Sequence, residues 1–268
     1  MAANQHGTRM LHIITHRNWM AEHLGATQHL GFDPVGTTTW VPGRDGLWAP
    51  GHHISLMSDT GNNWQFQDAL WWCLPDELLG RPVTHGSLPQ ALEAVPDDGA
   101  FVKLARHKYD YFTAGHRTPE EFTRDVDARP WGHLHEFIVS GHLDIADEYR
   151  LWVSNGDVLF GCAYRHGDWT WGDEDCREVP APAGATSIAQ AVASGIPGTY
   201  CVDVAHCRDG SWAVIETNPA WCSGFYAAPR EVLETAIVNS QGHDVHDPFI
   251  PDPAVQEMLR RRRNAGYA

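Results

Sequence analysis

Apolar positions along this chain switch several times between a period of about two and a period of about three and a half, and the switches mark its elements. Residues 10–14 form an apolar run that predicts a strand after a loose tail of nine residues. Apolar side chains then recur at helical spacing over 19–30. Residues 37–50, rich in Gly, Pro and Trp, predict a loop; 53–57 predict a strand, and 64–79 a helix carrying the Trp71-Trp72 pair. A strand–helix–strand–helix run of this size predicts a small α/β unit ending near Gly86. Beyond it come a short helix over 88–95, a strand over 100–104 and a polar loop over 105–117 that includes Gly115. Thr118-Pro-Glu-Glu121 is a capping box with proline at the first helical position, and opens a helix to about Ala128. A strand over 134–140, two hairpins and helices near 187–194, 229–239 and 253–263 complete the pattern, with no internal repeat. The expected class is α/β, with α+β lobes after the first unit.

The hairpins carry the first chemical signal, because a turn sets the register of everything beyond it. Residues 199–207 and 211–217 are β-rich and separated by Arg208-Asp209-Gly210. A two-residue Asp209-Gly210 turn sets Arg208 opposite Ser211 and Asp203 opposite Glu216, with Cβ atoms about 4.5–5.5 Å apart. Asn218 follows on the same face. Two facing carboxylates repel unless positive charge lies between them, and hard oxygen donors at this spacing suit Mg²⁺. A pair of ions bridged by Glu216 fits the spacing. The alternative is an exposed sheet on which both acids face water. In the other hairpin Asn155-Gly156 is the turn, and Glu148, Arg150 and Arg165 fall on one face. Such arginines suit an anionic intermediate or a leaving phosphate, or else form a cross-strand ion-pair ladder.

Bulk composition narrows the classes. A chain of 29.8 kDa with 43% hydrophobic residues can bury a full core. A net charge of −15 argues against nucleic-acid or anionic-membrane binding. The basic run Arg260 to Arg263 reads as a solvated helix end. No apolar stretch approaches bilayer length and no signal-peptide core is visible, so a cytoplasmic, membrane-free protein is expected. Six scattered cysteines without a CxxC spacing predict reduced, mostly buried thiols. The 17 histidines do not assemble a zinc signature. His52 and His53 are adjacent and point apart on a strand, and His133 and His135 lack a third ligand.

Two of the 19 basic residues are lysines, Lys103 and Lys108, on a strand end and the loop after it. A compact ammonium meets a phosphate as a point charge, so this pair suggests a nucleotide phosphate site; solvated surface lysines are the plainer account.

In order along the chain stand Phe101-Val-Lys103, Lys108 with Phe112-Thr-Ala-Gly115, Ser140 followed by Glu148-Tyr-Arg150, Asp203, Glu216-Thr-Asn218 and Trp221-Cys-Ser-Gly-Phe-Tyr226. This set resembles the ATP-grasp superfamily, most nearly its phage and bacterial clade marked by one arginine and two lysines. The resemblance spans about residues 99–240. It implies an ATP-grasp fold with a small lobe over 96–143, a C-terminal lobe over 144–268 and an α/β preface over 1–95 that shapes the acceptor site. It also implies that Lys103 and Lys108 hold the α- and β-phosphates. Ser140 and the main chain of Gly141, His142 and Leu143 form the adenine hinge, and Glu148 takes the ribose hydroxyls. Asp203, Glu216 and Asn218 hold two Mg²⁺ ions, for which Mn²⁺ can substitute; Arg150 and Arg165 steady the γ-phosphate and an acyl phosphate. The family often has glutamate where Gly141 stands, and Glu136 is the other candidate for that role. The implied activity is an ATP-dependent carboxylate–amine ligase acting on small-molecule or peptide substrates. A kinase on the same fold, or a nucleotide-binding module without chemistry, is the alternative, and a homodimer is the default assembly.

Overall fold

The computed structural model describes residues 10–29, 45–50, 65–68, 70–106, 112–129, 132–170, 179–243, 245–250, 257 and 261. Lys108, His52, His53, Trp171 and the expected strand over 53–57 lie outside the described residues, as does nearly all of the expected helix over 253–263.

The first unit is a three-stranded parallel sheet in the order β2-β1-β3, formed by β1 (Leu11–Ile14), β2 (Thr27–His29) and β3 (Gly46–Trp48). Helix α1 (Asn18–Leu24) joins β1 to β2. The helix expected to run to residue 30 stops six residues earlier, because Gly25 adopts the left-handed conformation and caps it. Residues 27–29 then form a strand, which a helical period could not distinguish over so short a run. β3 likewise falls inside a segment expected to be loop.

The helix expected over 64–79 does not form. That segment holds β4 (Gln65–Phe66), a single 3₁₀ turn at Trp71–Cys73 and the short α2 (Asp76–Leu79). Pro75 sits where a continuous helix would need an N–H donor, so the helical spacing is broken there.

A second sheet, four antiparallel strands in the order β5-β8-β6-β7, comprises β5 (Val83–Ser87), β6 (Ala100–Leu104), β7 (Gly115–Arg117) and β8 (Glu136–Ser140). Helices α3 (Leu88–Ala94) and α4 (Pro119–Asp127) cover one face. Both begin with complete capping boxes, at Ser87 and Thr118. Strand β5 had no counterpart in the sequence pattern, and with α3 it joins this layer rather than the first unit. Phe112, Phe122 and Phe137 meet edge to face at its centre, with centroids 4.9–6.1 Å apart.

The third sheet has the order β11-β10-β9-β12-β13. Its long strands β9 (Ile145–Ser154) and β10 (Asp157–His166) form the first hairpin. A short β11 (Trp169–Thr170) lies on the outer edge. After α5 (Ala183–Gly195), β12 (Thr199–Cys207) and β13 (Trp212–Pro219) form the second hairpin. Helix α5 packs its alanines and Val192 on one face, against Leu151, Val153, Tyr200 and Val202. The opposite face carries Trp152 and Cys201 against α6 (Arg230–Asn239) and the first unit. A last strand, β14 (Gln241–Gly242), returns to pair with β4. Among the described residues no helix is long and apolar enough to cross a membrane.

Residues 141–144 alone link the second sheet to the third, between the end of β8 and the start of β9. Phe122→Ala, which removes a fully buried ring from the aromatic cluster, is expected to cost about 3–5 kcal/mol in urea-unfolding stability.

Candidate active site

The site lies where the second sheet meets the Trp152 face of the third. Its register is the product of three bulges. In the second hairpin the loop is Arg208-Asp209-Gly210, closed by the Cys207 N–H donating to the Ser211 carbonyl at 2.9 Å, with Gly210 at φ +85°. This is a three-residue turn rather than the expected two-residue one, and it shifts the pairing by one. Ala205 therefore faces Ala213, and Val204 faces Val214. One extra residue, Ile215, then restores the expected register, so Asp203 does face Glu216 and Cys201 faces Asn218. Two offsets of opposite sign cancel at the carboxylates.

The first hairpin turns at Asn155-Gly156 as expected, with φ of +50° and +92°. Two bulges, at Leu159 and Tyr164, move the register by two, and Arg165 comes to stand directly opposite Glu148. Arg150 stays on the Glu148 face, but its partner lies on the other side, since Arg150 pairs with Asp203 across β9 and β12.

A continuous chain of contacts results. The Lys103 ammonium, reaching over from β6, donates to Glu216 Oε2. The Asn218 amide donates to Glu216 Oε1 and to Asp203 Oδ2, both at 2.9 Å. Arg150 grips Asp203 bidentately through Nε and Nη2, both at 2.7 Å, and reaches the Gly224 carbonyl through Nη1 at 3.3 Å. Its guanidinium also lies over the Tyr226 ring at 4.8 Å. Tyr226 stacks on Tyr164, with centroids 4.9 Å apart. Tyr164 donates to Glu148 Oε2 at 2.6 Å, and Arg165 donates to Glu148 Oε1 at 2.8 Å. Lys103, Glu148, Arg150, Arg165, Asp203, Glu216 and Asn218 thus all join one network.

The charges explain one another. Asp203 is 1% exposed and Arg150 4%, so neither would persist ionised alone in the interior. Burial works against the Arg150 charge, but the Asp203 carboxylate overrides it and holds the guanidinium pKa well above its ordinary value. Burial, followed by Asp203 and Glu148, raises the Tyr164 phenol well above its usual range, so it serves as a neutral donor. Burial also pushes the Cys201 thiol, beside Arg150 and Asp203, up to about 12. The expected repulsion between Asp203 and Glu216 is relieved by cations from two directions, Arg150 on one acid and Lys103 on the other.

The residues expected at the hinge occupy the link between sheets. Ser140 is buried at the end of β8, and the Gly141 N–H donates to the Pro82 carbonyl at 3.1 Å. His142 and Leu143 follow. Glu136, the other candidate for the hinge role, lies at the far end of β8 and pairs with Arg106 and His85. His133 and His135 sit before β8 rather than on one strand face.

A family model of the ATP-grasp domain, the third family of its clade, matches residues 44–252. This chain belongs to that family. No curated protein matches it. Among solved structures, the D-cycloserine synthetase DcsG is 15% identical over 94% of this chain and 99% of its own, with a TM-score of 0.48. The D-alanine–D-alanine ligase from Coxiella burnetii is 13% identical over 72% of this chain, with a TM-score of 0.39. The chain spans 58% of the length of that ligase. The macrocyclase MdnC from Microcystis aeruginosa MRC, bound with its precursor peptide MdnA, is 16% identical, covers 60% of this chain and 55% of its own, and has a TM-score of 0.39.

ATP-grasp enzymes use a divalent metal, and the donor set here suits one. Two carboxylates and one amide, all oxygen donors, lie within hydrogen-bonding reach of one another, as hard cations require. Among the described residues no group of three or more His, Cys, Asp and Glu side chains gathers as a metal cluster, and this site offers two acids with the Asn218 amide as its third donor.

Tyr164, Tyr226 and Trp71 escaped the sequence as site residues. Tyr226 ends the Trp-Cys-Ser-Gly-Phe-Tyr tail and stands at φ +47°, a conformation rare for a tyrosine. Trp71, placed by the sequence only on a helix, is buried in the core and also lies 5.4 Å beneath the Lys103 ammonium.

Two outcomes are expected. Asp203→Ala leaves the Arg150 charge buried without its carboxylate, and should lower unfolding stability by about 3–5 kcal/mol in a denaturant titration. Alkylation of the native protein should label the exposed Cys73 readily, whereas Cys162, Cys201 and Cys207 should react only after unfolding.

Proposed function

We propose that this protein is an ATP-dependent carboxylate–amine ligase that works through an acyl phosphate. The observation that carries this proposal is the unbroken network from Lys103 on the small sheet to Asp203 and Arg150 on the large one, in a chain of the ATP-grasp family. In this proposal the second sheet with β5 and α3 supplies the small lobe, residues 144–268 the C-terminal lobe, and the first unit the wall of the acceptor site.

Each described residue then has a task that its position supports, and Lys108 takes its task from the family resemblance alone. Lys103 and Lys108 meet the α- and β-phosphates as point charges. Because the Gly141 amide is taken by Pro82, the main chain of His142 and Leu143 carries the adenine edge. Glu148, held by Tyr164 and Arg165, accepts from the ribose hydroxyls. Asp203, Glu216 and Asn218 hold Mg²⁺. When bound, the metal neutralises charge on the β- and γ-phosphate oxygens. Arg150 has two N–H groups beyond its bonds to Asp203 and Gly224. With Arg165, it places positive charge where the γ-phosphate and the acyl phosphate stand.

The chemistry balances in two steps. A substrate carboxylate oxygen attacks the γ-phosphorus, the bond to the β,γ-bridging oxygen breaks, and ADP leaves. An amine nitrogen then attacks the acyl carbon, the carbon–oxygen bond to phosphate breaks, phosphate departs, and the amine loses a proton. The protein's contribution is mainly electrostatic, with fixed cations set where negative charge moves.

The test is mass spectrometry of ADP-forming reactions over pooled amino acids and short peptides. A ligase needs two co-substrates and releases ADP with free phosphate; a phosphorylated product without free phosphate would instead identify a kinase. Lys103→Arg is expected to lower kcat/KM for ADP formation about 100-fold or more, since a planar fork cannot replace the ammonium beneath the phosphates. Normal turnover by that variant would remove Lys103 from the phosphate site.

A further inference from the structure

Glu216 reaches the site only because β13 carries an extra residue. Counted from the three-residue turn, regular pairing would set Ile215 across from Asp203 and Glu216 across from Val202. Val202 belongs to the apolar face covered by α5. A one-residue change of register moves a side chain to the other face of a sheet. Without the bulge, then, the carboxylate would point into the core beside Val214. The bulge itself leaves carbonyls outside the β-ladder that need donors.

One side chain from outside the sheet supplies them. Arg81, in the stretch between α2 and β5, donates through Nη1 to the Val214 carbonyl at 2.8 Å and through Nη2 to the Ile215 carbonyl at 2.9 Å. Its Nη1 also reaches the Leu79 carbonyl at 2.8 Å. The guanidinium rests over the Trp71 ring at 5.5 Å, the same ring that underlies Lys103. Burial lowers the Arg81 pKa to about 10, with Cys207 and Glu216 opposing, so it stays charged at neutral pH. The backbone here is fitted to β13. Gly80, at φ +63°, lies where a Cβ would stand 2.9 Å from the Ala213 methyl. The residue after Arg81, Pro82, accepts the Gly141 N–H at the link between sheets.

We propose that Arg81 is the positioning residue for Glu216: it pins the Val214-Ile215 bulge and so keeps the carboxylate turned toward the metal and phosphates. The metal part of this assignment rests on the ligase proposal above, whereas the bulge part does not. Through Pro82 the same stretch ties the Glu216 strand to the interlobe link, so the carboxylate and the hinge share one support.

The test compares wild type, Arg81→Met and Arg81→Lys by three measurements. These are thermal unfolding, peptide-level amide hydrogen exchange over 212–219, and Mn²⁺ binding in the presence of ATP followed by electron paramagnetic resonance. Arg81→Met is expected to fold, to exchange the amides near 214–217 at least about tenfold faster, and to bind Mn²⁺ about 10–100-fold more weakly. Arg81→Lys keeps the charge but cannot span three carbonyls, and should fall between the other two on both measurements. Should Arg81→Met fail to fold, the lysine variant decides alone. Exchange and Mn²⁺ affinity equal to wild type in a folded variant would overturn the assignment. If wild-type protein binds no Mn²⁺ with ATP, the ligase proposal fails, and the bulge assignment is judged on hydrogen exchange alone.

Discussion

Two carboxylates held face to face across a strand pair repel, and the rest of this site follows from how that repulsion is relieved. Asp203 is buried and answered by a buried arginine with bidentate geometry; Glu216 is answered by an ammonium arriving from the other sheet. The asymmetry matters chemically. Arg150 is anchored by Asp203, by the Gly224 carbonyl and by the Tyr226 ring, so it acts as a fixed charge. Lys103 is held by one carboxylate above an indole face and has a flexible stem, so it can exchange partners when other charges arrive.

Because one of those cations comes from the small sheet, the site exists only while the two sheets keep their relative position. The link of 141–144 is a single chain crossing, and loop links of this kind permit hinge motion. The Arg81-Pro82 stretch adds a second tie, bonded both to the Glu216 strand and to the link itself. The aromatic residues beneath and beside the network stiffen it further. Trp71 supports Lys103 and Arg81, while Tyr164 and Tyr226 stack between Glu148 and Arg150.

The ATP-grasp family match covers most of the chain, and of the residues that first suggested it Lys103, Glu148, Arg150, Asp203, Glu216 and Asn218 come together in space. The described histidines do not gather there. Asp147 lies between His166 and His206 on neighbouring strands, at 2.7 and 3.2 Å, as a local ion-pair row remote from the carboxylate pair in register. His12 and His29 stack inside the first sheet, where Asp45 lies 3.6 Å from His12.

The sequence by itself determined what depends on near neighbours. The capping box at Thr118, the Asn155-Gly156 turn and the alternation along β9 and β12 were legible because each acts over a few residues. The order of Lys103, Glu148, Arg150, Asp203, Glu216 and Asn218 was legible as a family pattern. Its geometry was legible only in part, since the Asp203–Glu216 pairing came out right through two compensating offsets. Tertiary structure decided the rest. The break of the 64–79 helix at Pro75 was already in the sequence, whereas the burial of Trp71 against the large sheet was not. That Asp203 holds part of the Arg150 fork depended on a strand 53 residues away. Bulges decided which face each acid occupies, and a bulge is stabilised by donors such as Arg81 that arrive from elsewhere in the chain. Local spacing carries no trace of a distant donor, so that part of the site had to be folded to be seen.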